Sequence, residues 1–170
     1  MTGTTVRRDP AAAARELAFM FFDVDGVMTD GGLYYDATGE ALKRFHVLDG
    51  HGLKALQAAG VGVGILSGRS HAAVVHRARE LGISHVLLGC DDKLMAFRHW
   101  LNDNGLSASV CGHMGDDLAD LPLMEEVGLA ASVPNGHAEV IARADWVSRL
   151  GGGHGAVREL CDFVLKAREP

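Results

Sequence analysis

The chain is poor in cysteine. The three it has, Cys90, Cys111 and Cys161, are widely separated. No C-x-x-C occurs, so neither a zinc knuckle nor a disulfide framework is expected, and the thiols read as core or near-surface residues of a reducing compartment. An excess of positive charge is also missing: 16 Lys and Arg stand against 22 Asp and Glu, for a formal net charge of -6. That balance argues against an extended nucleic-acid surface. No apolar run is long enough to span a bilayer. The stretch after Arg7-Arg8 is interrupted by Arg15 and Glu16 and followed closely by Asp23, which does not fit a cleaved signal peptide. A cytoplasmic protein without membrane or nucleic-acid partners is the expectation. The nine histidines contain no H-E-x-x-H, and His71 and His76 fall off one helical face and read as surface residues. There is no Gly-x-Ser-x-Gly elbow, and no Cys/His pair stands out.

What is present suits one compact domain. The chain has 170 residues, 48% hydrophobic, with 22 glycines, enough for a full core with many tight turns. Residues 1–16 read as a flexible arm carrying a short helical segment at 11–17, and 17–170 as the domain. Apolar stretches then alternate with amphipathic ones. Strands are expected at 19–23, 61–66, 85–88, 109–114, 127–131 and 146–147. Helices are expected at 50–59, 70–81, 93–104, 117–126, 136–143 and 156–167, the last with Val157, Leu160, Cys161, Val164 and Leu165 on one face. Gly60, Gly82, Gly105 and Gly128 fall where C-terminal caps fall, and Ser70 and Ser132 read as turn or cap residues. Strand and helix alternating at this spacing imply an α/β fold, a parallel sheet with helices on both faces. Residues 31–45 break the alternation and read as a projecting β-hairpin around Asp36-Ala37-Thr38-Gly39, whose apolar residues suggest burial against another subunit.

In such sheets ligands lie beyond the carboxyl ends of the strands. Asp23-Val24-Asp25-Gly26 lies at one such end, Ser67-Gly68-Arg69 at another, Cys90 to Lys93 at a third and Gly115-Asp116-Asp117 at a fourth. Asp23 and Asp25 could face one site, and burying both requires a compensating partner. A carboxylate can attack phosphorus to form an acyl-phosphate, with Asp25 protonating the leaving alkoxide and later taking a proton from water. Taken alone, the tetrapeptide is more simply a turn. It is not a calcium loop, because Val27 offers no ligand oxygen and Met28 stands where glycine is needed. Ser67 and Gly68 before a helix make an anion cradle or an ordinary cap. Arg69 is a candidate anion clamp or a solvated arginine. Lys93 opens a helix, a poor place for a cation unless it neutralises a phosphate; otherwise it is a surface lysine. Asp116, Asp117 and Asp120 crowd one helical turn, more acids than capping needs. Asp116 could bind a hard cation such as magnesium, with Asp117 and Asp120 supporting it from behind.

The order Asp-x-Asp, Ser after a strand, Lys, then Gly-Asp-Asp-x-x-Asp resembles the haloacid dehalogenase (HAD) superfamily of phosphatases. Asp23 through Gly31, Ser67-Gly68-Arg69, Gly115-Asp116-Asp117-Leu118 and the tail Gly152-Gly153-His154-Gly155-Ala156-Val157-Arg158-Glu159 are similar to the 3-deoxy-D-manno-octulosonate 8-phosphate (KDO 8-phosphate) phosphatase family. The similarity runs from about Leu17 onward. It implies a Rossmann-like domain, magnesium as cofactor and a homotetramer built through the hairpin. It further implies Asp23 as nucleophile and Asp25 as acid/base. Ser67, Gly68 and Lys93 would bind phosphate, and magnesium would be held by Asp23, the Asp25 carbonyl and Asp116. The spacing independently leaves no room for a cap domain between Asp25 and Ser67 or between Ser67 and Lys93.

The implied function is magnesium-dependent hydrolysis of a phosphorylated sugar acid, KDO 8-phosphate first. Leu48 and His154 stand where the family tends to have arginine, and strand 109–114 is less β-branched than usual. A nonulosonate 9-phosphate or another sugar phosphate therefore stays open as substrate, with Arg69 and His154 as candidate substrate-binding residues. A phosphoryl-accepting receiver module is disfavoured, because there the acid pair comes first and the phosphorylated Asp later. A non-catalytic phospho-ligand-binding subunit is the reading from a different class.

Overall fold

The computed structural model of the protein describes residues 8–170. The first part of the expected arm, residues 1–7, lies outside them. The rest of that arm lies docked against the domain. Pro10–Glu16 forms helix α1, with proline in the first turn and the Asp9 carboxylate accepting from Ala11 N–H. Ala14 is buried, and the Arg168 guanidinium donates to the carbonyls of Arg15 and Leu17.

The elements that follow are β1 (Phe19–Phe22), β2 (Tyr34–Asp36), β3 (Gly39–Leu42), α2 (Val47–Ala58), β4 (Gly62–Ser67), α3 (Ala72–Leu81), β5 (His85–Leu88), α4 (Lys93–Asn104), β6 (Cys111–Met114), α5 (Leu121–Glu126), β7 (Leu129–Ser132), α6 (Ala138–Arg143), β8 (Trp146–Val147) and α7 (Ala156–Ala167). Six strands form one parallel sheet in the order β5-β4-β1-β6-β7-β8. The expected α/β architecture is therefore present. No cap domain interrupts it: a hairpin and one helix separate β1 from β4, and α3 and β5 separate β4 from α4.

Central β1 explains its own sequence. Covered on both faces, it reads as an unbroken apolar run rather than an alternation. Met20 and Phe22 join the cluster under α2 and α7, while Phe19 and Phe21 join the cluster with Phe97 and Trp100 of α4. Phe19 lies 4.3 Å from the Trp100 ring, and Phe21 meets Phe97 edge-on at 6.0 Å. Gly62 and Gly64 of β4 make this possible, because a Cβ at either would overlap the Phe19 and Phe21 rings. On the other face, buried Asp49 of α2 accepts from Arg158 N–H of α7 at 2.9 Å, fixing the two helices together.

Several boundaries differ from expectation for local reasons. A short turn of helix over Ala108–Val110, capped by Ser107, replaces the start of strand 109–114. Helix 117–126 divides into a tight turn at Leu118–Asp120 and then α5, which begins where Pro122 falls in a first turn. His71, not Ser70, caps α3 by accepting from Ala73 N–H. Helix 50–59 begins earlier, at Val47. Gly82 and Gly105 are the expected left-handed caps. Gly128 instead lies against the Ser109 carbonyl, too close for any side chain. Ser132 ends β7 and donates to the Gly115 carbonyl at 2.8 Å. Cys111 and Cys161 are buried, Cys90 is partly buried, and all three are free.

The hairpin forms as expected, with β2 and β3 paired antiparallel and the Asp36 carboxylate accepting from Thr38 N–H and Oγ. It carries exposed Leu33, Tyr34, Tyr35 and Leu42.

Because Phe97 is fully buried against β1, Phe97→Ala should lower the unfolding free energy by about 3–5 kcal/mol in urea titration. A loss below about 1 kcal/mol would mean that the α4 face is not packed as described.

Candidate active site

The expected polar clusters converge. Asp23, Asp25, Ser67, Gly68, Arg69, Lys93, Asp116, Asp117 and Asp120 line one crevice of about 190 Å³ at the carboxyl edge of the sheet. That volume is below the ~300–1,000 Å³ usual for sites that enclose a whole ligand. It suits a phosphate group with the rest of the molecule extending outward.

Asp23 follows β1 directly. Its N–H donates to the Met114 carbonyl of β6 at 3.0 Å, and its carboxylate accepts from Val24 N–H at 2.7 Å. Lys93 is the first residue of α4, behind Asp92, which caps the helix by accepting from Met95 N–H. The Lys93 ammonium lies 3.1 Å from Asp23 Oδ2 and 2.7 Å from Asp120 Oδ1. Asp120 Oδ1 also accepts from His113 Nε2 at 2.7 Å, while its Oδ2 accepts from the N–H groups of Asp116 and Asp117 at 3.1 and 3.2 Å. The three acids of the loop thus divide their work. Asp117 and Asp120 cap the turn reciprocally, Asp120 holds Lys93, and Asp116 is left facing Asp23.

Burial sets the electrostatics. It pushes the Asp23 carboxyl up, and the Asp120 charge adds to the rise. Burial, then Asp23 and Asp120, push Asp116 up to about 8. For Asp120 burial acts in the same sense, but hydrogen bonding and charge from His113 and Lys93 outweigh it and hold the carboxyl well below the usual range. Burial disfavours the Lys93 ammonium, yet Asp23 and Asp120 hold its pKa above the ordinary lysine value.

This arrangement has the character of a cation site. Carboxylate oxygens of Asp23, Asp116 and Asp120 lie within 4.8 Å of one another. Asp120 is already saturated by nitrogen donors, whereas no hydrogen bond reaches the Asp116 carboxylate among the described residues. Asp23 and Asp116 therefore remain as donors, a hard-oxygen set suited to magnesium. Gly26 adopts φ +90, and a Cβ there would overlap the Asp116 carboxylate, so only glycine lets the loop pass. Ser67 ends β4, buried, its Oγ accepting from Arg69 N–H at 3.3 Å and so keeping its own proton to donate.

Asp25 has partners that the sequence did not suggest. Lys43, just past β3, donates to Asp25 Oδ1 at 2.5 Å and to Glu40 Oε1 at 2.9 Å, with its side chain 1% exposed. Glu40 also accepts from Arg69 at 2.6 Å, and Arg69 Nε lies 3.8 Å from Asp25 Oδ2. Hydrogen bonds from Lys43 and Arg69 hold the Glu40 carboxyl below its usual range. The hairpin was legible mainly as an apolar surface; the available signal was a Glu and a Lys three apart along and just past its second strand. Asn135 was also missed. Its amide donates to the Gly26 carbonyl at 3.0 Å and accepts from Gly152 N–H at 2.8 Å, seating the tail loop against the first motif. His154 is exposed on that tail and does not line the crevice, and Leu48 is exposed on α2.

Residues 89–160 match the family of haloacid dehalogenase-like hydrolases. The chain is 41% identical to 3-deoxy-D-manno-octulosonate 8-phosphate phosphatase KdsC of Escherichia coli strain K12, over 96% of this chain and 87% of the relative. It is 39% identical to KdsC of Yersinia pestis over 96% and 88%. The fold is similar to that of the Moraxella catarrhalis 3-deoxy-D-manno-octulosonate 8-phosphate phosphatase in complex with magnesium, phosphate and KDO. That pair has a TM-score of 0.90 and 43% identity, over 93% of this chain and 91% of the other. The cobalt-bound deoxy-D-mannose-octulosonate 8-phosphate phosphatase of Haemophilus influenzae gives a TM-score of 0.89 and 39% identity, over 92% and 91%.

The raised carboxyl of Asp116 has a consequence for stability. A folded-state value of about 8 against an ordinary 3.8 means that the metal-free protein loses stability as pH rises from about 4 through about 8, when this buried group must ionise. A bound divalent cation offsets that loss. Magnesium should therefore raise the melting temperature, and by more at pH 8.5 than at pH 6 in matched thermal scans. An increment that is equal at both values, or larger at the lower one, would contradict the assignment of Asp116 to the cation.

Proposed function

The chain belongs to the haloacid dehalogenase-like hydrolases, in the branch of the 3-deoxy-D-manno-octulosonate 8-phosphate phosphatases, and from that premise we propose that it hydrolyses KDO 8-phosphate in the presence of magnesium. The observation that carries the chemistry is the buried Asp23 carboxylate held 3.1 Å from the Lys93 ammonium, with Asp25 two residues on and the uncompensated Asp116 beside it.

In this reading Ser67 Oγ, the Gly68 backbone and Lys93 hold the phosphate at the floor of the crevice. The Asp23 carboxylate attacks phosphorus, the bond to the sugar oxygen breaks, and Asp25 delivers its proton to the departing alkoxide. A water then attacks the acyl-phosphate, giving up its proton to Asp25, and the bond between phosphorus and the Asp23 oxygen breaks to release phosphate. Asp117 and Asp120 shape the loop, and Asp120 keeps Lys93 in place. Asp23, the Asp25 carbonyl and Asp116 would hold a magnesium ion, which would supply positive charge to offset that of the phosphoryl group.

The substrate assignment is supported by the relatives named for that activity, at about four-tenths identity over nearly the whole chain. Arg69, at the crevice, is the cation we assign to the sugar acid's carboxylate, and His154 is the second candidate contact from the tail. We further assign the exposed apolar hairpin to assembly as a homotetramer. A neighbour's surface would then exclude water from a site that has no cap of its own. A cytoplasmic setting fits the free thiols, and no helix among the described residues is long and apolar enough to cross a membrane.

Asp23→Asn should reduce hydrolysis of KDO 8-phosphate by about a thousandfold or more, while the melting temperature stays within a few degrees of wild type. Activity within about tenfold of wild type would remove Asp23 from the nucleophile's role. In a panel of sugar phosphates, KDO 8-phosphate should give the highest kcat/KM. A nonulosonate 9-phosphate giving the highest value would overturn the substrate and leave the chemistry standing.

A further inference from the structure

One polar side chain beneath the crevice has no part in the chemistry above. His113 lies on β6, paired with Phe21 of β1, and is fully buried. Its Nε2 meets Asp120 Oδ1 at 2.7 Å, and its Nδ1 is buried with no hydrogen-bond partner among the described residues. A ring that satisfies one of its two nitrogens is costly to bury, and an aliphatic residue would fill the same strand position without that cost. The cost is explained if the one bond made has a use.

The use follows from which oxygen it reaches. Asp120 Oδ1 accepts from both His113 and the Lys93 ammonium, and Oδ2 is taken by the N–H groups of Asp116 and Asp117. Lys93 is in turn divided between Asp120 at 2.7 Å and Asp23 at 3.1 Å. In a buried setting the pull of a carboxylate on an ammonium is strong, and each further donor on the same oxygen reduces it. We infer that His113 is a positioning residue for the phosphate-binding lysine. By donating to Asp120 Oδ1 it limits the claim of Asp120 on Lys93, and Nζ stays available to Asp23 and to the substrate's phosphate. Without that donor, Lys93 is drawn toward Asp120 and offers less to the phosphate. This inference rests on the phosphatase reading, but its test reads phosphate binding as well as turnover.

Three full-length variants separate positioning from packing. Gln places an amide N–H near the location of Nε2, Asn is one carbon shorter and does not reach, and Leu fills space with no donor. The inhibition constant for inorganic phosphate, kcat and KM would be measured with magnesium, alongside melting temperature. His113→Asn and His113→Leu should weaken phosphate inhibition about tenfold relative to His113→Gln, as expected for losing a hydrogen bond to a charged group. KM should rise with it, and His113→Gln should stay within about threefold of wild type. If Leu fails to fold, the Asn-to-Gln comparison decides alone. Asn and Gln variants with phosphate inhibition within about twofold of each other would overturn the inference. So would a Leu variant that binds phosphate as wild type does. Failure of the phosphatase reading is distinguishable, because then the wild-type protein itself would not release phosphate.

Discussion

The structure turns on one buried ammonium between two buried carboxylates. Lys93 stands at the start of α4, where the helix dipole disfavours a cation, and it is 5% exposed. Asp23 at the end of β1 and Asp120 in the loop after β6 offset both penalties. Three separate parts of the chain therefore meet at one nitrogen, and deleting that one ammonium leaves two buried carboxylates without their cation, a loss of about 3–5 kcal/mol. The strand order requires this meeting place. With β1 between β4 and β6, and β5 beyond β4, the loops after these four parallel strands open on the same edge, the one after β5 carrying Lys93. The triplet also leaves a remainder. Among the described residues the Asp116 carboxylate has no donor of its own, and the surplus negative charge beside Asp23 is what a divalent cation would neutralise.

The hairpin joins the same network from outside. Lys43 at its base pairs with Asp25, and Glu40 bridges Lys43 to Arg69. The proposed acid/base, the proposed reader of the sugar acid and the proposed assembly surface are thereby mechanically linked through one element. A capless domain has few other means of coupling its rim to its chemistry. The open crevice and the apolar hairpin are two sides of that economy.

Much of this was legible in the sequence because its local signals were strong and agreed. Lys93–Asn104 is bounded by a capping Asp92 and a left-handed Gly105, and it forms where expected. His85–Leu88, Trp146–Val147 and Ala156–Ala167 also fall at their expected bounds. The convergence of Asp23, Ser67, Lys93 and Asp116 followed from the rule that parallel strands present their ends to one side. What escaped depended on contacts distant in sequence. Lys43 reads as an ordinary charge on a hairpin until the chain folds back on Asp25. His113 reads as a weak strand former until Asp120 lies against it. Gly128 resembles a cap, but its reason is the Ser109 carbonyl pressed against it. The segment 10–16 reads as a short helical piece of an arm, and its docking is not legible because it depends on α7, at the far end of the chain.

The central claim is that Asp23 accepts the phosphoryl group. It is tested most directly by acid-quenching the magnesium-loaded enzyme during turnover of substrate labelled in its phosphate, then mapping the label. The expected result is a phosphoryl group on the peptide that contains Asp23, released by hydroxylamine as an acyl-phosphate must be. Turnover that leaves no label on Asp23 under conditions that trap acyl-phosphates, or label on any other residue, would contradict it.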